Sequence, residues 1–243
     1  MAVYEAQESQ GHARSTWSVS DISAYYKDYS RSYDDEIDSD RSTYPAPFII
    51  SRWVLDYLTR AQIFSPAPGE RDSGPIHPGS CTKPYKILDL GCGTGQSSAI
   101  FLSDNHAVNF NVDGIDATKE MLEKAAKRGS FRNLICGDIE RELRFPDVYD
   151  GVVCVGVMDF VRDPEQLLRR VFELVKPGHF GVFGVTFPEL DETSELSAFT
   201  RSEMEKLIRR TDWYIERHER FPGYKDSQSN AITAYHGFLL SRR

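Results

Sequence analysis

Apolar positions along this chain change their spacing twice. Ser20-Asp21 reads as a helix cap, and Ile22, Tyr25, Tyr26, Tyr29 and Tyr33 then recur at i, i+3, i+4, i+7 and i+11, which sets a tyrosine stripe on one helical face. An acidic stretch, residues 34–40, precedes Pro45, Pro47 and a second periodic run formed by Phe48, Ile49, Trp53, Leu55 and Leu58. Residues 65–84 hold five prolines and three glycines with almost nothing that could pack, so they read as a flexible surface connection. This divides the chain into an N-terminal helical extension (1–64), the connection (65–84) and a main domain (85–243).

After Tyr85 the pattern alternates. Residues 86–91 predict a strand running into a glycine turn, and Gln96 to Leu102 a helix after it. A second strand is expected at 111–116, and then a helix with Met121, Leu122, Ala125 and Ala126 on one face. Residues 131–136 predict a third strand and 149–157 a fourth, whose unbroken apolar run suits burial on both faces. Asp163-Pro164 opens a helix carrying Leu167, Leu168, Val171, Leu174 and Val175, which stops at Pro177-Gly178 before a fifth strand at 180–187. Thr200-Arg-Ser-Glu203 is a capping box ahead of Met204, Leu207 and Ile208, and the runs 213–219 and 231–240 predict a late antiparallel pair. Strands and helices alternating in this way predict an α/β fold: a mainly parallel sheet with helices on both faces.

Charge and cysteine usage narrow the partners. The 243 residues carry 29 Lys+Arg against 37 Asp+Glu, a formal net charge of −8, which is the wrong sign for a protein built to hold phosphate backbone. The longest apolar run, Val152 to Met158, is far too short to cross a bilayer, so no membrane partner is expected. The four cysteines, Cys81, Cys92, Cys136 and Cys154, form no C-x-x-C pair, which predicts reduced thiols, no metal and a cytoplasmic location.

The chemistry concentrates at Leu88-Asp-Leu-Gly91-Cys-Gly93-Thr-Gly95-Gln96, where a strand's carboxyl end meets the next element. Ligands of open α/β sheets bind there, because glycine lets backbone approach closely and free N–H groups face outward. A dinucleotide fingerprint, G-x-G-x-x-G, would need glycine where Gln96 stands, which speaks against a nicotinamide oxidoreductase. The pattern G-x-G-x-G preceded by Asp89 resembles instead motif I of the class I S-adenosylmethionine (SAM) dependent methyltransferases. Asp116 at the end of the second strand, Gly137-Asp138-Ile139 at the end of the third and residues 149–156 in the fourth are similar to that family's later motifs. Upstream, Tyr26-Lys-Asp-Tyr-Ser-Arg-Ser-Tyr33-Asp34 resembles the Y-D-x-x-A-x-x-Y-D signature of an N-terminal lid in small-molecule members. Among these are the methyltransferase-like proteins first named for the Williams–Beuren region.

This resemblance implies a Rossmann-like three-layer sandwich with a seven-stranded sheet, an antiparallel C-terminal edge strand and a helical lid. It implies SAM as cofactor, held by Tyr26, Tyr33, Asp89, Gly91, Cys92, Gly93, Thr94, Gly95, Asp116, Ala117, Met121, Gly137, Asp138, Ile139, Cys154 and Val155. Asp116 would accept from the ribose hydroxyls, and Asp138 from the adenine amine. The expected reaction is methyl transfer to O, N or S of a small metabolite, the alternative being a SAM-binding protein that does other chemistry or none. Cys154-Val-Gly-Val157 stands where methylases of bases and amides carry N-P-P-Y, which argues against those acceptors. Asp159-Phe160 stands where many small-molecule relatives carry Glu-His, so the candidates for a general base are Asp159, His218 and His236. Phe160, Phe187, Phe221 and Tyr224 are candidate pocket walls. The acidic N-terminal 50 residues and the basic C-terminal 43 are expected to attract one another.

Overall fold

The computed structural model describes residues 17–35, 44–64, 83–103, 108–141, 145, 147–189, 199–225 and 232–242. Five parallel strands come first: β1 (Tyr85–Leu90), β2 (Phe110–Asp116), β3 (Asn133–Cys136), β4 (Gly151–Cys154) and β5 (Val182–Pro188). Two longer strands, β6 (Tyr214–Lys225) and β7 (Ile232–Ser241), complete a seven-stranded sheet in the order β3-β2-β1-β4-β5-β7-β6. The C-terminal pair is antiparallel as expected, but β7 inserts between β5 and β6 and runs against both, so the edge itself is β6. Strand order reverses between β1 and β4, and in such sheets that crevice receives the ligand.

Alternation along the strands creates two cores. Leu88, Leu90, Val152, Cys154, Phe183, Val185, Phe187, Phe238 and Leu240 face one side, against helices α4 (Pro164–Leu174) and α5 (Arg201–Arg210). Ile87, Val112, Val153, Val182 and Leu239 face the other side, against helix α2 (Ala46–Phe64) with Ile50, Trp53, Val54, Leu55 and Leu58. The N-terminal extension therefore splits in function: α2 is a layer of the core, and only α1 (Val19–Tyr29) lies apart, with no fully buried residue. Phe48, expected on the packed face of α2, is 63% exposed, while Ile50 and Val54 take the contact.

The caps follow the sequence closely. Thr200 and Glu203 form the reciprocal box that starts α5, and Asp163 caps α4 ahead of Pro164. Helix α1 begins two residues earlier than expected, at Ser18, with Asp21 reaching back to the Ser18 N–H at 2.8 Å. Residues 96–102 are a chain of turns where a helix was expected. Ser97 and Ser98 turn their hydroxyls onto Asp89, and the Ser97 carbonyl, which a helical ladder would use, accepts instead from the Ser51 hydroxyl at 2.6 Å. Nearly all of the connection 65–84, including Cys81, lies outside the described residues.

Candidate cofactor cleft

The carboxyl ends of β1, β2, β3 and β4 open onto a cleft of about 770 Å³, part of it continuous with solvent. The turn after β1 forms its floor. Gly91 and Gly93 both hold left-handed backbone, at φ +68° and +51°. A Cβ at Gly91 would come within 2.4 Å of Val157 Cγ2, whereas one at Gly93 would meet nothing within 4 Å. Only glycine takes this backbone without strain, and at Gly93 the missing side chain leaves open space. The Gly91 and Cys92 N–H groups both donate to the Ile115 carbonyl, at 2.8 and 3.0 Å, which ties the turn to β2.

Two carboxylates, Asp89 wholly buried and Asp116 partly exposed to the cleft, organise the floor. Asp89, wholly buried, accepts at Oδ2 from the hydroxyls of Ser97 (2.7 Å) and Ser98 (2.6 Å), while Oδ1 has no partner among the described residues. Burial pushes its pKa up to about 6, against the pull of those hydroxyls. Asp116 lines the cleft, its Oδ2 accepting from the Gly93 N–H at 2.9 Å and its Oδ1 from the Thr118 N–H at 2.8 Å. Burial raises its pKa too, in spite of both backbone donors.

At the end of β3, Gly137, Asp138 and Ile139 form the cleft's far wall. Asp138 Oδ1 accepts from the Glu140 N–H at 2.8 Å, whereas buried Oδ2 makes no hydrogen bond among the described residues and lies 3.5 Å from Arg162 Nη2 and 3.6 Å from Arg141 Nε. Glu140 and Arg162 close the rim: the Arg162 N–H and Nε donate to Glu140 at 2.9 Å each. The roof is aromatic. Trp17, Tyr26 and Tyr33 face the cleft with Phe160, whose ring centroid lies 5.8 Å from Trp17 and 5.7 Å from Tyr26.

Asp34 pins this roof to the floor. Its Oδ1 accepts from the Thr94 hydroxyl at 2.6 Å and from Arg128 Nη2 at 2.8 Å, and Lys124 stands 3.5 Å from Oδ2. Burial opposes the charge, but the Thr94 hydroxyl and the Arg128 guanidinium outweigh it and hold the carboxyl below its usual range. Lys124 and Arg128 belong to helix α3 (Lys119–Arg128). Among the described residues, this N-terminal acid is thus paired with α3 and not with the basic C-terminal segment, as sequence had suggested.

Of the predicted cofactor residues, Tyr26, Tyr33, Gly91, Gly93, Asp116, Ala117, Met121, Gly137, Asp138, Ile139 and Val155 line this one cleft. The others stand behind it. Asp89 braces the turn, Cys92 is buried against Gly114, Thr94 holds Asp34, Gly95 packs on Phe131, and Cys154 is core. Among the predicted pocket walls, Phe160 faces the cleft and Phe187 does not. Phe187 is fully buried between Phe199 and Phe238, because it falls on the inward face of β5. Phe221 is buried in the opposite core against Gly237, and the Tyr224 side chain lies outside the described residues.

His218 and His236 also correct the expectation. Their rings stack on the β6–β7 pair, with His218 Nε2 2.8 Å from His236 Nδ1, and neither lines the cleft. Sequence reasoning missed Trp17, Val19, Glu140 and Arg162, and from the fourth-strand motif it took Cys154 and Val155 as site residues but not Gly156, which lines the cleft. The signal for Trp17 was its place one residue before the Ser18 cap, and Arg162 had none.

These features have counterparts in known proteins. Residues 88–183 match a protein-family model described as a methyltransferase domain. The matched segment runs from within β1 into β5 of the seven-stranded sheet. It is similar to the ubiquinone biosynthesis O-methyltransferase of Vibrio atlanticus, at 32% identity over 142 residues that make up 56% of each chain. The chain spans about half the length of the curated relatives it matches. Among solved structures, the magnesium protoporphyrin IX methyltransferase of Synechocystis with bound SAM superposes over 93% of this chain and 97% of that one, with a TM-score of 0.61 at 12% identity. The cyclase SpnF shares the fold over 65% of this chain and 74% of its own, with a TM-score of 0.53 at 18% identity.

Proposed function

We propose that this protein is a SAM-dependent methyltransferase acting on O, N or S of a small metabolite. The observation that carries the reading is the donor and acceptor set of the cleft. Asp138 Oδ2 is buried with no hydrogen bond among the described residues, only longer ion-pair contacts to Arg162 and Arg141; the Asp116 carboxylate lies on the floor, and Gly93 leaves space where any other residue would intrude. A nucleoside's amine and ribose hydroxyls supply the donors that such acceptors require. In this reading Asp138 takes the adenine amine, Ile139 and Met121 flank the ring, Asp116 takes the ribose hydroxyls, and Gly91 and Gly93 admit the amino acid end.

When bound, SAM supplies a methyl group on a cationic sulfonium. The chain's own residues bind, orient and exclude water. Asp34 holds the roof of Trp17, Tyr26 and Tyr33 against the floor, which is what transfer to a positioned nucleophile needs. The Cys92 and Cys154 thiols are pushed far up by burial and stay protonated, so neither is the nucleophile. A cytoplasmic location and a partner list without nucleic acid or membrane belong to the same reading. Among the described residues no helix is long and apolar enough to cross a membrane.

The cyclase neighbour favours a second reading, in which SAM is held and the pocket performs another reaction. Incubation with methyl-labelled SAM and a panel of small phenols, amines and thiols separates the two. One S-adenosylhomocysteine (SAH) released per labelled product supports methyl transfer, and turnover of an acceptor without SAM consumption supports the alternative.

A further inference from the structure

The rim pair Glu140–Arg162 joins two sides of the cleft. Glu140 follows β3 and Arg162 follows β4, and β2 and β1 lie between those strands in the sheet, so the pair reaches from one wall to the other. The Glu140 carboxylate accepts three donors from one segment: the Arg162 N–H and Nε at 2.9 Å each, and the Asp163 N–H at 2.8 Å. From α4, Arg170 donates to the carbonyls of Glu140 and Arg141, which fixes the same wall from behind. A guanidinium held at Nε has its outer edge aimed, and this one faces the wall after β3: Nη2 stands 3.5 Å from Asp138 Oδ2. The hydrogen bond to Glu140 pushes the Arg162 pKa further up, so the group stays cationic. Arg162 lines the cleft with 41% of its side chain exposed, and among the described residues neither Nη1 nor Nη2 makes a hydrogen bond.

Arg162 and Asp138 thus set a donor and an acceptor side by side. Adenine carries the complement, an amine N–H beside a ring nitrogen, whereas a 6-oxo purine carries acceptors at both O6 and N7. We propose that Arg162 is a specificity-determining residue for the cofactor, donating from its guanidinium to a ring nitrogen that flanks the amine taken by Asp138. The inference rests on the cofactor reading of the cleft and adds to it a second reader of the base, brought from the loop after β4. Arg141 offers no equivalent. It comes within 3.6 Å of Oδ2, but it is 86% exposed and does not line the cleft. Arg162 also differs from a lone surface arginine, because Glu140 has already fixed its fork and little rotamer freedom is left to lose on binding.

The test is calorimetric titration of the full chain with SAH and with its 1-deaza, 7-deaza and 3-deaza analogues, each lacking one ring nitrogen. N1 and N7 flank the amine, and N3 does not. In the unmodified protein at least one of the first two analogues is expected to bind about tenfold more weakly than SAH. Arg162→Met keeps the length of the side chain and removes its donors, so it should bind SAH about tenfold more weakly. In that variant one of those penalties should shrink to within about twofold, which identifies the nitrogen that Arg162 reads, while any penalty for losing N3 should be equal in the two proteins. A side chain that merely braces the rim would weaken SAH and all three analogues alike. That outcome, unweakened SAH binding by Arg162→Met, or 1-deaza and 7-deaza analogues bound by the unmodified protein as tightly as SAH, would overturn the proposal. Failure of the unmodified protein to bind SAH would instead overturn the cofactor reading beneath it.

Discussion

Gly91 and Gly93 stand two residues apart in the same left-handed backbone and answer different demands. At Gly91 the neighbour is Val157, 2.4 Å from any added Cβ, and at Gly93 it is empty cleft. Left-handed backbone costs a non-glycine residue about 1–2 kcal/mol, and overpacking adds about 1–3 kcal/mol. Gly91→Ala should therefore lower stability by roughly 3 kcal/mol. Gly93→Ala should cost only about 1–2 kcal/mol of stability and yet weaken SAH binding about tenfold or more. Urea unfolding together with SAH titration of both variants checks the contrast, and equal effects of the two on both measurements would show that Gly93 does not face the ligand.

Asp89 gives a pH prediction at the same scale. Its folded pKa, about 6, lies above the ordinary carboxylate value of 3.8. Between those values the native state holds a proton that the unfolded state has lost, so stability falls as pH rises through the window and stays low above it. Asp89→Asn keeps an acceptor for Ser97 and Ser98 and removes the charge. It should raise stability at pH 8 by up to about 3 kcal/mol and give no gain near pH 4, as read from urea midpoints at the two pH values.

At the scale of elements, α1 depends on others for its place. It has no fully buried residue, and the roof it carries is held by Asp34 against Thr94, Arg128 and Lys124. Asp34 has a lowered pKa, so its contribution is fully present above the ordinary value of 3.8 and is lost as pH falls through the lower folded value. Asp34→Ala should speed amide exchange in Val19–Tyr29 severalfold and leave exchange in β1, β4 and β5 unchanged, because those strands lie in cores that α1 does not enter. Protection lost equally in helix and sheet would contradict a separable roof. The turns at 96–102 show why an apolar pattern alone misjudged an element. Asp89, one turn back along the chain, and Ser51, distant in sequence, take hydrogen-bonding groups of Ser97 and Ser98, and nothing in the spacing of Ile100, Phe101 and Leu102 announces that.

Across the whole molecule, the cofactor side of the site was legible because it is local. Gly91, Gly93, Asp116 and Asp138 sit at the ends of successive strands, and a parallel sheet brings successive ends to one edge. What surrounds the cleft was not, since it is assembled from distant pieces. Asp159 meets Tyr235 from the last strand, and Phe187 points into the core because of its parity on β5, which spacing near the motif does not reveal. The insertion of β7 between β5 and β6 likewise carried His218 and His236 away from the cleft.

One cleft, floored by Gly93 and walled by Asp116 and Asp138, should hold SAM. Titration of the full chain with SAH, and separately with NAD, is the most direct measurement, made on the unmodified protein and on Asp138→Ala. Saturable SAH binding, no NAD binding, and at least about tenfold weaker SAH affinity in the variant are expected. Tight NAD binding without SAH binding, or SAH affinity indifferent to Asp138, would contradict that reading.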